Sequence, residues 1–283
     1  MLVRRDGDSL LLITQADHGR LAGEMAAAWG AAPWSRPEPY EAVCLATALH
    51  DDGWEAADAR PALDPETGAP RPFWALPYRE RAAFYREGIA AVAEQNAYAG
   101  LLVSMHLAAL WDGYGIRPAT GLGALPEEEA QAVVAFLNGE AARQAALRAQ
   151  AIQRLRQEKE VRRFQRRLQV NLRWLALWDW LSLLLCLDAD PAESLDGSGT
   201  VPSALSTGVP LGYRGDRRVD LVVRRLGPGR FALDPYPFVR EPLQLTVPAR
   251  RVPARRYPSE EEWLAAFREA KVEHLSFAIM ALR

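Results

Sequence analysis

Cysteine, lysine and histidine are all scarce in this chain, and each scarcity excludes something. Only Cys44 and Cys186 occur in 283 residues, and both lie in apolar text. Two isolated thiols argue against a disulfide scaffold or a paired-cysteine zinc site and suit a reduced, cytoplasmic protein. Lysine occurs only at Lys159 and Lys271, so the positive charge is almost all arginine. The net charge of −2 argues against a generic nucleic-acid binder. The opening MLVRRDGDS has no apolar signal core. The most apolar run, Leu175–Leu187, is short for a membrane span and carries Asp179. A soluble protein without a membrane partner is expected. No phosphate-cradling glycine loop and no nucleophile elbow is found.

What is present is helical text. Leu2–Arg5 and Leu10–Thr14 flank Asp6-Gly7-Asp8, the pattern of a hairpin over 2–14. Helices are predicted over Gln15–Trp29, Glu41–His50, Tyr78–Gln95 and Ala97–Trp111, with loops at Ala59–Pro77 and Gly113–Pro126. Pro126 and three glutamates open a long helix to about Leu168, with a candidate bend at Asn138-Gly139. The segment Arg143–Arg173 holds ten basic and two acidic residues. That run reads as a solvated face, or as a wall that attracts a phosphate-bearing ligand. Leu172–Leu187 is apolar nearly all round and belongs in a core. Asp190–Pro210 is a polar linker. Strands are then predicted at Val219–Leu226, Gly229–Leu233, Leu243–Val247 and Val272–Leu282, with a helix from Ser259 to about Ala270. The expected fold is mainly α: a helical domain over 1–190 and a small α+β subdomain over 211–283 that can pair with the hairpin.

Three of the four histidines point inward. His18 shares a stripe with Leu21, Ala22, Met25 and Trp29. His50 continues the stripe of Val43, Ala46 and Thr47, and His106 aligns with Ala99, Leu102, Val103 and Ala109. In the late helix, Leu175, Asp179, Ser182 and Cys186 fall within an arc of about 60°. A carboxylate in so apolar a helix costs several kcal/mol unless it is paired or binds a metal. Imidazoles and acids from four helices have an economical common explanation in one divalent cation.

The order His18 … His50-Asp51 … Asp179 resembles the signature of the HD-domain superfamily of helical, metal-dependent phosphohydrolases. "HDDGW" is similar to the His-Asp-x-Gly-Lys variant of some members, with Trp54 in place of the lysine. The likeness covers about Gln15–Leu187 and rests on four residues. The whole chain, with "QADHGRLAG", "HDDGW", "LLVSMH" and "WDWLSLLLC", also resembles the uncharacterised bacterial family known as domain of unknown function 3891. The HD resemblance implies an HD-like bundle in which His18, His50, Asp51 and Asp179 hold Mn, Fe, Zn, Co, Ni or Mg. Asp51 and His106 are then candidate catalytic groups, and His106 is also a candidate ligand of a second ion. Asp52 orients a histidine or simply ends the helix.

The implied function is hydrolysis of a small phosphorylated substrate, a nucleotide among the candidates. Arg60, Arg71 and Trp54 are the candidate substrate contacts, on or beside a Pro-rich loop that can act as lid. Phe73 and Trp74 of that loop can equally plug the bundle. The alternatives are an HD-type di-iron oxygenase and a non-catalytic metal-stabilised binding protein. A homo-oligomer is compatible with the sequence.

Overall fold

A computed structural model describes residues 1–112, 125–153, 155, 157–191 and 203–283. The loop expected at 113–126 and the linker at 190–210 fall largely outside the described residues. The first half runs β1 (Leu2–Asp6), β2 (Ser9–Ile13), α1 (Gln15–Ala28), α2 (Tyr40–Ala48), a 3-10 turn (Asp52–Trp54), α3 (Glu55–Ala59), a second 3-10 turn (Phe73–Ala75), α4 (Tyr78–Gln95) and α5 (Ala97–Asp112). The second half runs α6 (Glu127–Gln153), α7 (Glu158–Leu187), α8 (Ser203–Ser206), β3 (Val209–Pro210), β4 (Arg218–Val219), β5 (Val222–Gly227), β6 (Arg230–Asp234), β7 (Leu243–Pro253), α9 (Glu260–Glu269) and β8 (Val272–Ala281).

The expected fold class, a mainly helical bundle with an appendage, is corrected by the sheet. The structure is about 53% helical and 20% strand; β3 and β4 pair by themselves, and the other six strands form a curled, six-stranded half-barrel. Its order is β1-β2-β7-β8-β6-β5, antiparallel throughout except for the parallel pair β6–β8. The first hairpin enters this sheet through β2, where Leu10 faces Val252 across the ladder.

Burial explains why the sheet is part of the body. In β7 the side chains alternate, with Leu243, Leu245, Val247 and Ala249 buried in the core shared with the helices. Strand β2 is apolar on both faces because both are covered. Leu11 and Ile13 enter the helical core, whereas Leu12 joins Val252, Tyr257, Trp263 and Phe267 under α9. Ser259 caps α9 by accepting from the Glu262 N–H.

The long helical stretch is also corrected. It breaks between α6 and α7, where a capping box joins Gln157 and Glu160 and restarts the chain as a new helix. The helix does not break at Asn138-Gly139, which lies inside a continuous α6. The apolar text from Leu172 is therefore the inner half of the 30-residue α7. By length and composition α7 could cross a membrane, yet 78% of its apolar window is buried inside the protein, as in a core helix.

Candidate metal centre

Helices α1, α2, α5 and α7 meet around a polar point inside the apolar core. Their approach begins with two glycines on α1. A Cβ at Gly23 would lie 2.6 Å from the Ala48 Cβ, and one at Gly19 would lie 3.0 Å from the Ala48 carbonyl oxygen. The bare backbone lets the end of α2 close onto α1, which delivers His50 beside His18. Helix α2 stops at Ala48, two residues before the sequence places its end. His50 and Asp51 therefore sit in the turn that follows, just ahead of the 3-10 turn. That turn is pressed against α4, where a Cβ at Gly53 would lie 2.0 Å from the Phe84 carbonyl oxygen.

The imidazoles converge on Asp179. His18 Nε2 and His50 Nε2 each lie 3.3 Å from Asp179 Oδ1, and His106 Nε2 lies 3.2 Å from Asp179 Oδ2. Asp51 Oδ2 is 3.7 Å from His18 Nε2 and 3.9 Å from His50 Nε2. All five residues are buried. The sequence stripes thus bring His18, His50, Asp51, His106 and Asp179 to one place. Donor atoms of His18, His50 and Asp179 lie within 4.8 Å of one another, a group able to hold a metal ion.

Three observations test the fit to a cation. First, charge-assisted hydrogen bonds usually close to about 2.7–2.9 Å, and these contacts stay longer. Metal–ligand bonds of about 2.1 Å set neighbouring donors roughly 3.0–3.4 Å apart, which matches them. Second, His50 Nδ1 lies 2.8 Å from the Thr47 carbonyl oxygen. A carbonyl only accepts, so Nδ1 carries the proton and Nε2 of the neutral ring keeps a lone pair. Third, several buried polar atoms in the cluster lack a hydrogen-bond partner: His50 Nε2, both ring nitrogens of His106, and Asp51 Oδ1. Orphans of this kind are rare in protein interiors. The residues fit a metal ion.

Electrostatics agree. Burial alone would lower the His50 pKa, but the Asp51 and Asp179 carboxylates outweigh it and push the value up to about 9. Burial also opposes ionisation of Asp179, yet the positive charge of His50 beside it, with the His18 and His106 rings close by, holds its carboxyl well below the usual range. His106 is lowered, chiefly by burial. Without a cation, the two carboxylates retain a proton on His50 in its place.

The remaining site residues expected from the sequence have other partners in the structure. Trp54 is fully buried and enclosed by Phe73, Phe84 and Tyr85. Arg60 is exposed and pairs with Glu260 at 2.8 Å. Arg71 pairs with Asp64 at 3.3 Å within its own loop. That loop docks on the α9 side of the sheet, where Trp263 Nε1 donates to the Pro61 oxygen at 2.6 Å and the Tyr257 N–H donates to the Gly68 oxygen. Its contacts tie it to the α9 layer, and the ion pairs of Arg60 and Arg71 are with Glu260 and Asp64, not with a residue of the cluster. Phe73 and Trp74 pack against the main core. Asp52 is partly exposed, 3.7 Å from Arg20. Ser182 donates to the Asp179 backbone oxygen.

Other residues of the site have little or no sequence signal. Gln15 donates from its side-chain amide to Asp51 Oδ2 at 3.1 Å. It lies three residues before His18 on α1, so that spacing could have revealed it. Arg81 on α4 is buried, its guanidinium 4.1 Å above the Tyr78 ring. Its Nε and Nη1 have no hydrogen-bond partner, and no carboxylate pairs with it among the described residues. One turn further, burial raises the Tyr85 hydroxyl far above its ordinary value, helped by Asp51 and opposed by Arg81. In a chain so rich in arginine, nothing in the sequence singles out Arg81.

No curated protein and no solved structure matches the chain. Residues 1–254 match the family described as "Protein of unknown function (DUF3891)", and the chain belongs to that family.

Proposed function

We propose that this centre binds a divalent cation and hydrolyses a phosphoester, with a nucleotide among the candidate substrates. The observation that carries the reading is the convergence of three imidazole Nε2 atoms on the two oxygens of one buried aspartate. His18, His50, Asp51 and Asp179 would hold the ion, and their order along the chain resembles that of HD-type phosphohydrolases. A divalent cation in such a setting lowers the pKa of a bound water and polarises a phosphoryl oxygen. The protein supplies the rest. Gln15 fixes Asp51 through Oδ2 and leaves Oδ1 without a partner, available to accept a proton from water. His106, kept neutral by burial, can give or take a proton at Nε2.

The test is metal analysis of protein purified without chelator, followed by assay on a panel of phosphoesters and nucleotides. Bound metal with metal-dependent phosphate release is expected, both lost in Asp179→Ala. A metal-free protein, or one whose phosphatase activity survives that substitution, overturns the proposal.

One observation favours a second reading, the di-iron oxygenase. Asp179 turns Oδ1 to His18 and His50 but Oδ2 to His106, an arrangement in which a carboxylate can bridge two ions. Against it, the remaining histidine, His274, lies on β8 opposite Pro248. Two irons per chain and an oxygen-dependent spectrum would decide for the oxygenase.

A further inference from the structure

The basic run has a destination. A groove of about 420 Å³ lies between the outer half of α7 and the segment joining β3 to β4. Arg163, Arg167, Arg214 and Arg217 line it, together with Glu38 and Tyr213. Arg163 and Arg167 are four residues apart, on one face of α7. Arg166, between them, pairs with Asp216 at 2.9 Å and donates to the Gly215 oxygen. That clamp holds the turn against the helix, with Gly215 at φ +64° giving the reversal between Arg214 and Arg217. Tyr213 is fixed from behind, its hydroxyl donating to Asn171 Oδ1 at 2.6 Å.

The charges in the groove are unbalanced. Arg167 pairs with Glu38. Among the described residues, no carboxylate lies within ion-pair distance of Arg163, Arg214 or Arg217. Several like charges around one concave surface repel each other, in a protein whose net charge is −2. A concave cluster of guanidiniums matches phosphate oxygens in geometry and sign.

We infer that this groove is a second site, separate from the metal centre, for a compact anion bearing two or more phosphate groups. Each phosphate carries about −1.5 to −2 at neutral pH, so two of them balance the free guanidiniums. The groove has the volume of a small-molecule site, and the chain as a whole has no excess positive charge to hold a nucleic acid. Arg163 precedes Asp179 on the same helix by about 24 Å at 1.5 Å per residue, so the two sites are linked by α7 yet share no residue.

Inorganic pyrophosphate is the probe, titrated calorimetrically at low ionic strength into the full chain, as purified and after chelator treatment. Saturable binding is expected in both, weakening as salt rises. Arg163→Gln and Arg217→Gln should each weaken it roughly tenfold, and the pair about a hundredfold. Arg162→Gln, one position outside the groove and paired with Glu158, should leave it unchanged. These side chains are exposed, so the variants should keep the fold. Absence of binding by the wild type at millimolar pyrophosphate overturns the inference. So does loss of binding after metal removal, which would place it at the histidine cluster, or an equal loss in Arg162→Gln, which would make it a diffuse field. Tighter binding of a single-stranded oligonucleotide than of pyrophosphate would replace the small anion with nucleic acid.

Discussion

At the scale of the residue, His50 and Asp179 set how the protein responds to pH. In the metal-free chain the His50 pKa stands above its ordinary 6.5, at about 9. Its contribution to stability is therefore complete below 6.5 and lost as pH rises through 9. His106, lowered from 6.5, acts in the opposite sense and costs stability as pH falls below that value. Asp179, depressed below 3.8, adds a further loss in stronger acid. The urea midpoint of metal-free protein should therefore peak near neutrality and fall on both sides. In metal-loaded protein a cation replaces the His50 proton, and the alkaline decline should shrink. An alkaline decline of equal size with and without metal would count against the site. Arg81 makes a separate prediction. A buried guanidinium with unsatisfied donors costs on the order of 1–3 kcal/mol. Arg81→Met should raise the Tm of the ligand-free protein, and a clear drop would show that Arg81 holds the fold together.

At the scale of the element, the contact between the 3-10 turn and α4 is the critical one. Gly53→Ala forces a Cβ onto the Phe84 carbonyl oxygen, and backbone cannot swing aside as a side chain can. Overpacking costs roughly 1–3 kcal/mol, and this contact belongs at the upper end. Because the turn starts beside His50 and Asp51, metal content should fall together with the Tm. Gly139→Ala is the control: a Cβ there meets nothing within 4 Å, and alanine favours the helix by about 1 kcal/mol. Equal destabilisation by both would refute the account of the turn.

At the scale of the whole molecule, helices and sheet share one hydrophobic core. Leu2, Leu11 and Ile13 of the hairpin, Leu102 and Trp178 of the helices, and Leu245 and Ile279 of the sheet belong to one buried cluster. Strand β2, which contributes two of these residues, is hydrogen-bonded on both sides, to β1 and to β7. Thermal unfolding should therefore be a single transition, coincident by far-UV circular dichroism and tryptophan fluorescence. Two resolved transitions would mean that helical body and sheet are energetically independent.

Much of the candidate centre was legible in the sequence. A period of 3.6 places His18, His50 and His106 on apolar stripes, and Asp179 is conspicuous because a carboxylate in greasy text demands a partner. Those are local properties, fixed by side-chain type and spacing. The positions of α1, α2, α4, α5 and α9 were legible for the same reason, whereas the short α3 and α8 and the break between α6 and α7 were not, the break because both flanks carry the same charged, helix-favouring text. What only the tertiary structure decided was long-range. That the hairpin could join the late strands was expected, but its pairing through β2 with β7, more than two hundred residues away, was not, because short strands carry no record of their individual partners. The same holds for arginines. Arg60 and Arg71 looked like substrate contacts from their place beside "HDDGW", yet packing turned them to Glu260 and Asp64. Arg81, unremarkable as a letter, was left without a counter-charge, as were Arg163, Arg214 and Arg217 of the groove, whereas Arg167 beside them found Glu38. Sequence thus determined which groups seek a polar partner inside the core, and the fold alone determined which of them found one, because partner choice depends on distances that periodicity does not encode.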